Sequence, residues 1–431
     1  MSGPARETHV PSLGPGVAAR IALLGIIAAV HAGVWAIALT LSPGLVPTQQ
    51  IVAETLSTSA LVLVSVNLML STRAGPIERR LHGLDKLFVA HRTIGLSVAF
   101  FVSAHFLIVP KSLGYVPSKP VGYTTLPLLL IAILAASAPR FPWRRLVPLK
   151  YQTWKTTHRF MGVIVAMAVT HSLLAHTYVK QVPLLASYVY GVAALGLMAY
   201  LYRELLFARV GPFRAYDVER ARRLGDDVTE VVLASPSPPL QRAAGQFAFA
   251  SFERGPTREQ HPFTISSGVN EPVRFSIKAS GDFTGSLDVG KLADSAARIE
   301  GPYGAFTSSR GRTHQLWLAG GIGITPFLSM AEDLGGDTNV LLVWSVHDMR
   351  EAVYAEELER DARDKPNLRV DIHPTSERGH LKVAEMALEA APGEYSVFLC
   401  GPLPMRREMM RQLLSLGVSR REIYFEEFRL R

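Results

Sequence analysis

Two apolar stretches decide the fold of the first half of this chain: HRTIGLSVAFFVSAH at residues 91–105 and HRFMGVIVAMAVTH at residues 158–171. Each begins with a His-Arg pair and ends in a second histidine, and nearly everything between is apolar. An ionisable residue inside a membrane-spanning segment is costly and usually marks a functional site. Four histidines placed in this way predict haem ligation, with two histidines for each iron. Histidines that only pack between helices are the alternative.

The composition fits a membrane protein with a soluble half. Of 431 residues, 48% are hydrophobic, which is too apolar for one globular domain. The net charge is +9, but the basic residues lie mostly beside hydrophobic segments, where they orient helices, so nucleic-acid binding is not expected. The single cysteine, Cys400, excludes an intramolecular disulfide and fits a reduced, cytoplasmic location. Residues 1–16 are polar and predict an uncleaved start.

Six apolar runs predict a six-helix transmembrane bundle. A helix needs about 20 apolar residues to cross a membrane, and every run but the fourth reaches that length. Basic residues concentrate in the loops after the second and fourth runs, so the positive-inside rule predicts an inner-membrane protein with both termini cytoplasmic. The runs are residues 17–41, 51–71, 88–109, 124–138, 158–179 and 183–207.

This orientation arranges the four histidines in two levels. His91 and His158 are expected near the cytoplasmic face, and His105 and His171 about 20 Å further out, at 1.5 Å per residue. Each level then holds one histidine from the third helix and one from the fifth. That is the arrangement expected for two stacked bis-histidine b-type haems.

The angular positions of the histidines place both on one face of the third helix but not of the fifth. At about 100° per residue, His105 returns to the face of His91, whereas His171 lies roughly 140° away from His158. A π-bulge inside the fifth helix would absorb this difference. His176 is in phase with His158 but would lie about 27 Å along the helix, near the outer surface, so His171 is preferred.

Two arginines follow the inner histidines. Arg92 and Arg159 either pair with the propionates of the inner haem or are ordinary cations that extend to the cytoplasmic surface.

After residue 210 the pattern changes to that of a soluble protein. Short alternating strands broken by turns predict a small antiparallel barrel. Beyond about residue 312, strands alternate with helices, which predicts a parallel sheet with crossover helices. The barrel strands lie within Phe213–Leu233, around Gly225-Asp226-Asp227, and at Gln246–Phe252; those of the parallel sheet are Gln315–Ala319, Val340–Ser345 and Val397–Cys400.

The first of these parallel strands leads into a glycine turn, GGIGITP at residues 320–326. Glycines allow a phosphate to approach the backbone, Thr325 is a good N-cap, and Pro326 suits the first helical position. The helix N-terminus would then direct free N–H groups at an anion. A tight turn without a ligand is the alternative.

Five motifs, in order, resemble the signatures of the ferric reductase and NADPH oxidase family of flavocytochromes b. They are HPFTISS at residues 261–267, GPYG at 301–304, the glycine turn, CGP at 400–402 and FEEF at 425–428. The resemblance covers nearly the whole chain, because the paired histidines match the same family. It implies a haem-binding transmembrane domain at 1–210, an FAD-binding β-barrel at 211–310 and a ferredoxin reductase-like NAD(P)H-binding α/β domain at 311–431.

The resemblance also implies roles for single residues. Thr264, Cys400 and Phe428 would act at the reacting flavin and nicotinamide rings, with Phe428 stacked on the flavin until nicotinamide displaces it. A buried strand edge, a small buried hydrophobe and a docked tail are the respective alternatives. FAD would be bound by His261, Pro262, Phe263, Thr264, Ser266 and Ser267, with its pyrophosphate at Lys278 and Thr284. The dinucleotide would be bound by Gly301, Tyr303, Gly304, Gly321, Gly323, Thr325 and Pro326, with Cys400, Gly401 and Pro402 at the nicotinamide end.

The activity implied is electron transfer from cytoplasmic NAD(P)H through FAD and two b-type haems to an acceptor on the outer face. The family reduces dioxygen to superoxide or reduces ferric chelates, and the outer loops lack an acidic or histidine-rich metal site, which favours dioxygen. A soluble partner protein or quinone as acceptor remains open. A haem-binding membrane scaffold without flavin chemistry is an interpretation from a different class. No obligatory protein activator is expected.

The choice of nicotinamide cofactor depends on the end of the second parallel strand. Arg350 would meet the 2′-phosphate of NADPH, while Asp348 is the candidate acid for NADH preference. NADPH is preferred on this basis.

Overall fold

The structure is a computed structural model, and it describes residues 15–111, 116–137, 151–234, 240–252, 259–293 and 295–426. The chain divides into two compact units: one covers Gly16–Gly211 and the other begins at Pro212.

The first unit is helical. Within the described part of the chain, five helical segments are long and apolar enough to cross a membrane: Val17–Leu41, Thr48–Leu70, Leu84–Ile108, Ser118–Ser137 and Pro183–Val210. The α-helices of the described residues are, in chain order, α1 (Pro15–Leu41), α2 (Thr48–Leu70), α3 (Gly75–Arg80), α4 (Leu84–Ile108), α5 (Ser118–Ser137), α6 (Tyr151–Arg159), α7 (Met161–Leu174), α8 (Tyr178–Gln181), α9 (Pro183–Leu201) and α10 (Phe207–Val210).

Two predictions about these helices were wrong. The fourth apolar run is not short, because α5 begins at Ser118, six residues before the predicted start, and spans 20 residues. The fifth run is instead divided between α6 and α7. No π-bulge occurs there: the N–H of Phe160 donates to the Thr157 carbonyl at 3.2 Å, and that of Val163 to the Phe160 carbonyl at 3.0 Å. These i→i+3 bonds make a tighter turn, and a π-helical segment lies at Tyr202–Leu206 instead.

Helix α2 is the centre of this unit. Inside the unit, 56% of its spanning window is buried, against 17–22% for the other four. It packs closely on α9, where a Cβ at Gly196 would lie 2.7 Å from the Ser65 Cα, so only glycine permits this approach.

Helix α2 also carries a buried acid that the sequence analysis missed. The carboxylate of Glu54 accepts hydrogen bonds from the backbone N–H groups of Tyr178 and Val179, at 2.9 and 3.0 Å. It therefore satisfies the first turn of α8. Its position as a lone acid in the second apolar run was the available signal.

The second unit begins with an antiparallel sheet of six strands in the order β4-β3-β6-β1-β2-β5. A bridge between Ile265 and Phe275 joins the two ends of this order and closes the barrel. Short helices α11 (Asp282–Gly285) and α12 (Val289–Leu292) follow β5. The strands are β1 (Phe213–Leu224), β2 (Val228–Leu233), β3 (Phe247–Phe252), β4 (His261–Thr264), β5 (Val273–Lys278) and β6 (Ala296–Tyr303).

A parallel five-stranded sheet follows in the order β11-β10-β7-β8-β9. Its central strands are almost entirely buried, as expected for a sheet covered by helices on both faces. The predicted barrel and parallel sheet are thus confirmed. The elements are β7 (His314–Gly320), α13 (Thr325–Glu332), β8 (Asn339–Val346), α14 (Ala355–Asp364), β9 (Leu368–Pro374), α15 (Thr375–Arg378), β10 (Ser396–Cys400), α16 (Leu403–Ser415) and β11 (Ile423–Phe425).

Candidate functional site: two histidine levels and a flavin–nucleotide module

The inner pair of histidines is brought together by α4 and α6. The ring centroids of His91 and His158 are 5.9 Å apart, with the ring planes at 72°. Two imidazoles that bind one metal ion at about 2 Å from each nitrogen have ring centres about 6 Å apart. The spacing therefore fits one metal ion held between these rings.

An aromatic residue orients one of these rings. Trp154 lies one helical turn before His158, with the ring planes 3° apart and the centroids 5.6 Å apart. The Trp154 indole N–H donates to the Ala136 carbonyl at 3.3 Å, which links α6 to α5. The sequence analysis missed Trp154, although its i, i+4 spacing to a candidate ligand was visible.

The outer histidines are fixed by backbone carbonyls. The Nδ1 atom of His105 lies 2.8 Å from the Ala53 carbonyl oxygen, and that of His171 lies 2.8 Å from the Ser118 carbonyl oxygen. A carbonyl only accepts, so each Nδ1 carries the proton and each Nε2 keeps its lone pair for a metal. His176, in contrast, is exposed.

The two arginines next to the inner histidines lie on α4 and α6. Arg92 directly follows His91. The Arg159 Nε donates to a carboxylate oxygen of Glu204 at 2.7 Å, and Glu204 lies in the π-helical segment. Arg159 thus has a protein carboxylate as partner, and the role of either arginine towards a haem propionate stays a prediction.

The predicted flavin motif lies on β4 and the loop after it. The ring of His261 stacks on Phe283 with centroids 3.8 Å apart, and Phe263 packs near both. The Thr264 hydroxyl is buried and has no hydrogen-bond partner among the described residues. Because an unpaired buried hydroxyl is costly, this atom fits a ligand with its own hydrogen-bonding groups, as a flavin ring has.

The serines of the motif hold the loop that follows it. The Ser266 hydroxyl donates to the Arg274 carbonyl at 3.1 Å, and the Ser267 hydroxyl to the Pro272 carbonyl at 2.7 Å. Both side chains are buried and stabilise the closure of the barrel next to Thr264.

The two residues predicted for the FAD pyrophosphate lie close in sequence at the end of β5. Lys278 Nζ is 3.1 Å from the carboxylate of Asp227. The Thr284 hydroxyl accepts from the N–H groups of Ser280 and Gly281, at 2.9 and 3.1 Å. Thr284 therefore shapes this turn, while the phosphate contacts stay predictions.

The glycine turn packs against the CGP motif. Gly321 has φ +52°, and a Cβ at Gly323 would lie 2.4 Å from the Cys400 carbonyl oxygen, so both positions require glycine. The indole N–H of Trp344 donates to the Gly321 carbonyl at 2.9 Å and fixes the turn from β8. Trp344 was not singled out from the sequence.

The predicted cap of the next helix was wrong. Helix α13 begins at Thr325, with Ile324 at the N-cap and Pro326 within the first turn. The Thr325 hydroxyl donates to the Ile322 carbonyl at 3.1 Å, because a 3-10 turn precedes the helix and leaves that carbonyl within reach.

Segments far apart in sequence meet near Cys400. Gly304 has φ +103°, and a Cβ there would lie 3.4 Å from a carboxylate oxygen of Glu426. Burial and the nearby Glu426 carboxylate raise the pKa of the Cys400 thiol. The Tyr303 hydroxyl donates to Glu300 at 2.8 Å, and Gly301 has φ +142°. Phe428 lies outside the described residues.

Arg350 lies at the surface after β8. Its guanidinium is 2.7 Å from the Asp348 carboxylate, and its side chain is 90% exposed. The side-chain hydrogen bond from Arg350 lowers the pKa of Asp348. The two candidate determinants of cofactor choice therefore contact each other.

Comparison with known proteins locates two domains in the second half. Residues 214–307 match an FAD-binding domain, and residues 317–411 match an oxidoreductase NAD-binding domain. The toluate 1,2-dioxygenase electron transfer component of Pseudomonas putida is 29% identical over 147 residues, which cover 32% of this chain and 44% of that protein. Flavohemoprotein B of Dictyostelium discoideum is 26% identical over 187 residues, covering 40% and 43% respectively. The chain thus spans about half the length of the curated relatives it matches.

Two solved structures align with different shares of this chain. The ferredoxin NADP+ reductase of Neisseria gonorrhoeae is 17% identical with a TM-score of 0.43, covering 50% of this chain and 98% of that one. The flavohemoglobin of Malassezia yamatoensis is 19% identical with a TM-score of 0.48, covering 88% and 96%.

The fold and the two domain matches define the second half as an FAD-binding domain followed by an oxidoreductase NAD-binding domain.

Proposed function

We propose that this protein is a transmembrane oxidoreductase. In this proposal, electrons pass from cytoplasmic NAD(P)H through FAD and two b-type haems to dioxygen on the outer face, giving superoxide. FAD supplies the conversion between the two electrons of a nicotinamide and the single electrons that haem iron accepts.

The pairing of His91 with His158 carries the haem part of the proposal. Their 5.9 Å centroid separation suits two axial ligands of one iron, and each residue begins one of the two apolar histidine segments. The Nδ1 hydrogen bonds of His105 and His171 support the second level, since metal-binding histidines usually donate from the other ring nitrogen.

The six-helix bundle belongs to the same proposal. Helices α6 and α7 together form the fifth crossing, with the turn at Phe160 between them. This turn replaces the proposed π-bulge as the irregularity between His158 and His171. The cytoplasmic location of both termini follows from the loop charges alone.

Residues on the barrel and the parallel sheet would serve the hydride transfer. The unpartnered hydroxyl of Thr264 would hydrogen-bond the flavin ring, while the glycine turn would bind the dinucleotide phosphates through backbone N–H groups. Cys400 would line the nicotinamide end as a neutral thiol, because its raised pKa keeps it protonated near neutral pH. Phe428 would cover the flavin in the resting protein.

NADPH is the proposed electron donor. Arg350 would bind the 2′-phosphate after releasing Asp348, which is its partner at 2.7 Å. Arg350→Ala is expected to lower the preference for NADPH over NADH at least tenfold. Unchanged selectivity in that variant contradicts the assignment.

The acceptor is tested by steady-state kinetics of the purified full-length protein. Superoxide production is measured as cytochrome c reduction that superoxide dismutase abolishes and that requires oxygen. The same protein is then assayed anaerobically with a ferric chelate. Rapid chelate reduction without oxygen contradicts dioxygen as the sole acceptor and supports the ferric-reductase alternative. Absence of both flavin and NAD(P)H-dependent haem reduction supports the scaffold alternative.

Haem counting tests the ligands. His171→Ala is expected to bind one haem per chain and the wild type two, as measured by the pyridine haemochrome assay. His176→Ala is the matched control and should retain two, because His176 is exposed. One haem in His176→Ala and two in His171→Ala would reverse the assignment of the outer ligand.

A further inference from the structure

The loop that follows the predicted flavin motif, residues 266–271, is bound to the C-terminal end of α13. The Gly268 N–H donates to a carboxylate oxygen of Glu332 at 2.7 Å, and the Val269 N–H donates to a carboxylate oxygen of Asp333 at 2.7 Å. Hydrogen bonds to an ionised acceptor are stronger than those between neutral groups. Two adjacent acids at the end of α13 therefore hold two adjacent residues of this loop.

Close packing also brings the loop to the helix. A Cβ at Gly268 would lie 2.9 Å from the carboxyl carbon of Glu332, so a side chain there would displace that carboxylate. Gly268 does not have a positive φ, so the close approach rather than the backbone conformation accounts for glycine at this position. Carboxylates at the C-terminal end of a helix face the negative end of the helix dipole and do not stabilise the helix. The contact with the loop explains these two acids better than helix stability does.

The same loop is fixed to the barrel on its other side. Arg242 donates to the Gly268 carbonyl, and Arg274 on β5 donates to the Ser266 carbonyl at 2.6 Å. Ser266 is only two residues beyond Thr264 in the flavin motif. The loop therefore keeps a fixed position relative to Thr264 and to the barrel.

The other end of α13 is the glycine turn. Helix α13 has eight residues, which at 1.5 Å per residue span about 12 Å, and its first seven are all buried. The Lys365 ammonium donates to the carbonyls of Ala331 and Glu332, both at 2.5 Å, and closes the last turn. A short, tightly packed helix thus joins the glycine turn to the loop after the flavin motif.

We propose that Glu332 and Asp333 are positioning residues for hydride transfer, because through α13 they fix the distance between the bound dinucleotide and the flavin. The inference rests on the proposed function, since it needs both FAD and NAD(P)H. In that reaction a C–H bond of the nicotinamide breaks and the hydrogen leaves with its electron pair for a flavin ring nitrogen, so the nicotinamide is oxidised and the flavin is reduced. A misplacement of about 1 Å between reacting groups can lower a rate by about a hundredfold.

The positioning role is tested by anaerobic stopped-flow flavin reduction in the full-length protein. Glu332→Ala should lower the limiting rate at saturating NAD(P)H at least tenfold, while the dissociation constant of NAD(P)H changes less than threefold. Gly268→Ala should do the same from the other side of the contact, because its Cβ displaces the Glu332 carboxylate. Gly336→Ala is the matched control and should change neither quantity, since a Cβ there meets nothing within 4 Å.

A conservative variant separates the hydrogen bond from other effects of the substitution. Glu332→Gln keeps a side-chain carbonyl oxygen that can accept from the Gly268 N–H. It should retain a limiting rate within threefold of the wild type. A rate as low as that of Glu332→Ala would overturn the role of this hydrogen bond.

Hydrogen–deuterium exchange of the loop supplies a readout that does not depend on activity. The amides of Gly268 and Val269 should exchange at least tenfold faster in Glu332→Ala and Gly268→Ala than in the wild type, Glu332→Gln or Gly336→Ala. Faster exchange with an unchanged limiting rate overturns the positioning role and leaves the proposed function intact. Unchanged exchange in both alanine variants overturns the contact itself. A wild-type protein that binds no FAD overturns the proposed function instead.

Discussion

At the residue scale, one indole holds the turn proposed to bind the dinucleotide. Trp344 is buried and donates to the Gly321 carbonyl. Trp344→Phe would leave that acceptor unsatisfied, at about 1–3 kcal/mol. We expect NAD(P)H affinity to fall about tenfold, or 1.4 kcal/mol, with the rate of flavin reduction at saturation little changed. Stopped-flow flavin reduction under anaerobic conditions measures both quantities.

The matched control for this variant is Trp317→Phe. Trp317 is equally buried in the neighbouring strand, and its indole donates to Gln315 at 2.8 Å, away from the glycine turn. It should leave NAD(P)H affinity unchanged. Equal losses of affinity in the two variants would mean that only sheet packing is affected.

The thiol of Cys400 gives a second prediction at this scale. It is fully buried, and burial with the Glu426 carboxylate raises its pKa. The thiolate is the reactive form, so a raised pKa keeps the group neutral and slow to alkylate even at pH 9. We expect iodoacetamide to label the folded protein at least a hundredfold more slowly than the urea-unfolded protein, as followed by intact mass. Fast labelling that rises steeply between pH 7 and 9 would show an accessible thiolate.

At the scale of elements, the sequence predicted strands better than helix breaks. Strands β1, β2 and β3 lie within a residue or two of their predicted positions, because alternation and turn residues mark both ends of a strand. The break at Phe160 has no such mark, since the residues that follow it are uniformly apolar. Phase analysis nevertheless located an irregularity between His158 and His171, although it gave the wrong type.

The hydrogen bonds of the outer histidines could not be predicted from the sequence, for a different reason. Every residue carries a carbonyl, so nothing in the sequence distinguishes Ala53 or Ser118 as acceptors. Only the packing of α2 on α4, and of α5 on α7, selects them. The need for glycine at position 122 follows only from the position of the His171 ring, which the sequence does not give.

An ion pair joins the barrel to the parallel sheet within the second unit. Arg274 on β5 donates to both carboxylate oxygens of Glu357 on α14, at 2.8 and 2.5 Å, and both side chains are largely buried. Arg274→Met leaves Glu357 without this partner. Breaking a buried pair costs about 3–5 kcal/mol, and the lower value applies here because both groups retain some solvent contact.

For a unit of this size we expect Arg274→Met to lower the melting temperature of the flavin-binding half by about 6–12 °C. Flavin fluorescence during heating measures it. Arg378→Met is the matched control, because Arg378 pairs with Asp371 at 2.6 Å while both side chains are well exposed. It should change the melting temperature by less than about 3 °C. Similar shifts in the two variants would show that the Arg274 pair contributes no more than a surface pair.

At the scale of the whole molecule, the proposed function makes the two halves separable in activity. In the proposed function, electrons would reach FAD through the second unit alone, and only the histidine levels of the first unit would lead to the outer face. A variant that removes the inner level should therefore block the outer acceptor and spare any acceptor that reacts with the flavin directly.

His91→Ala tests this separation in the full-length protein, because it removes one of the two rings that lie 5.9 Å apart. We expect NAD(P)H-dependent ferricyanide reduction to stay within twofold of the wild type, since a soluble oxidant can take electrons at the flavin. Dismutase-sensitive cytochrome c reduction should fall at least tenfold, and NAD(P)H should no longer reduce the remaining haem. His176→Ala should retain both activities. Undiminished superoxide production by His91→Ala would mean that electrons leave from the flavin, and the histidine levels would then need another role.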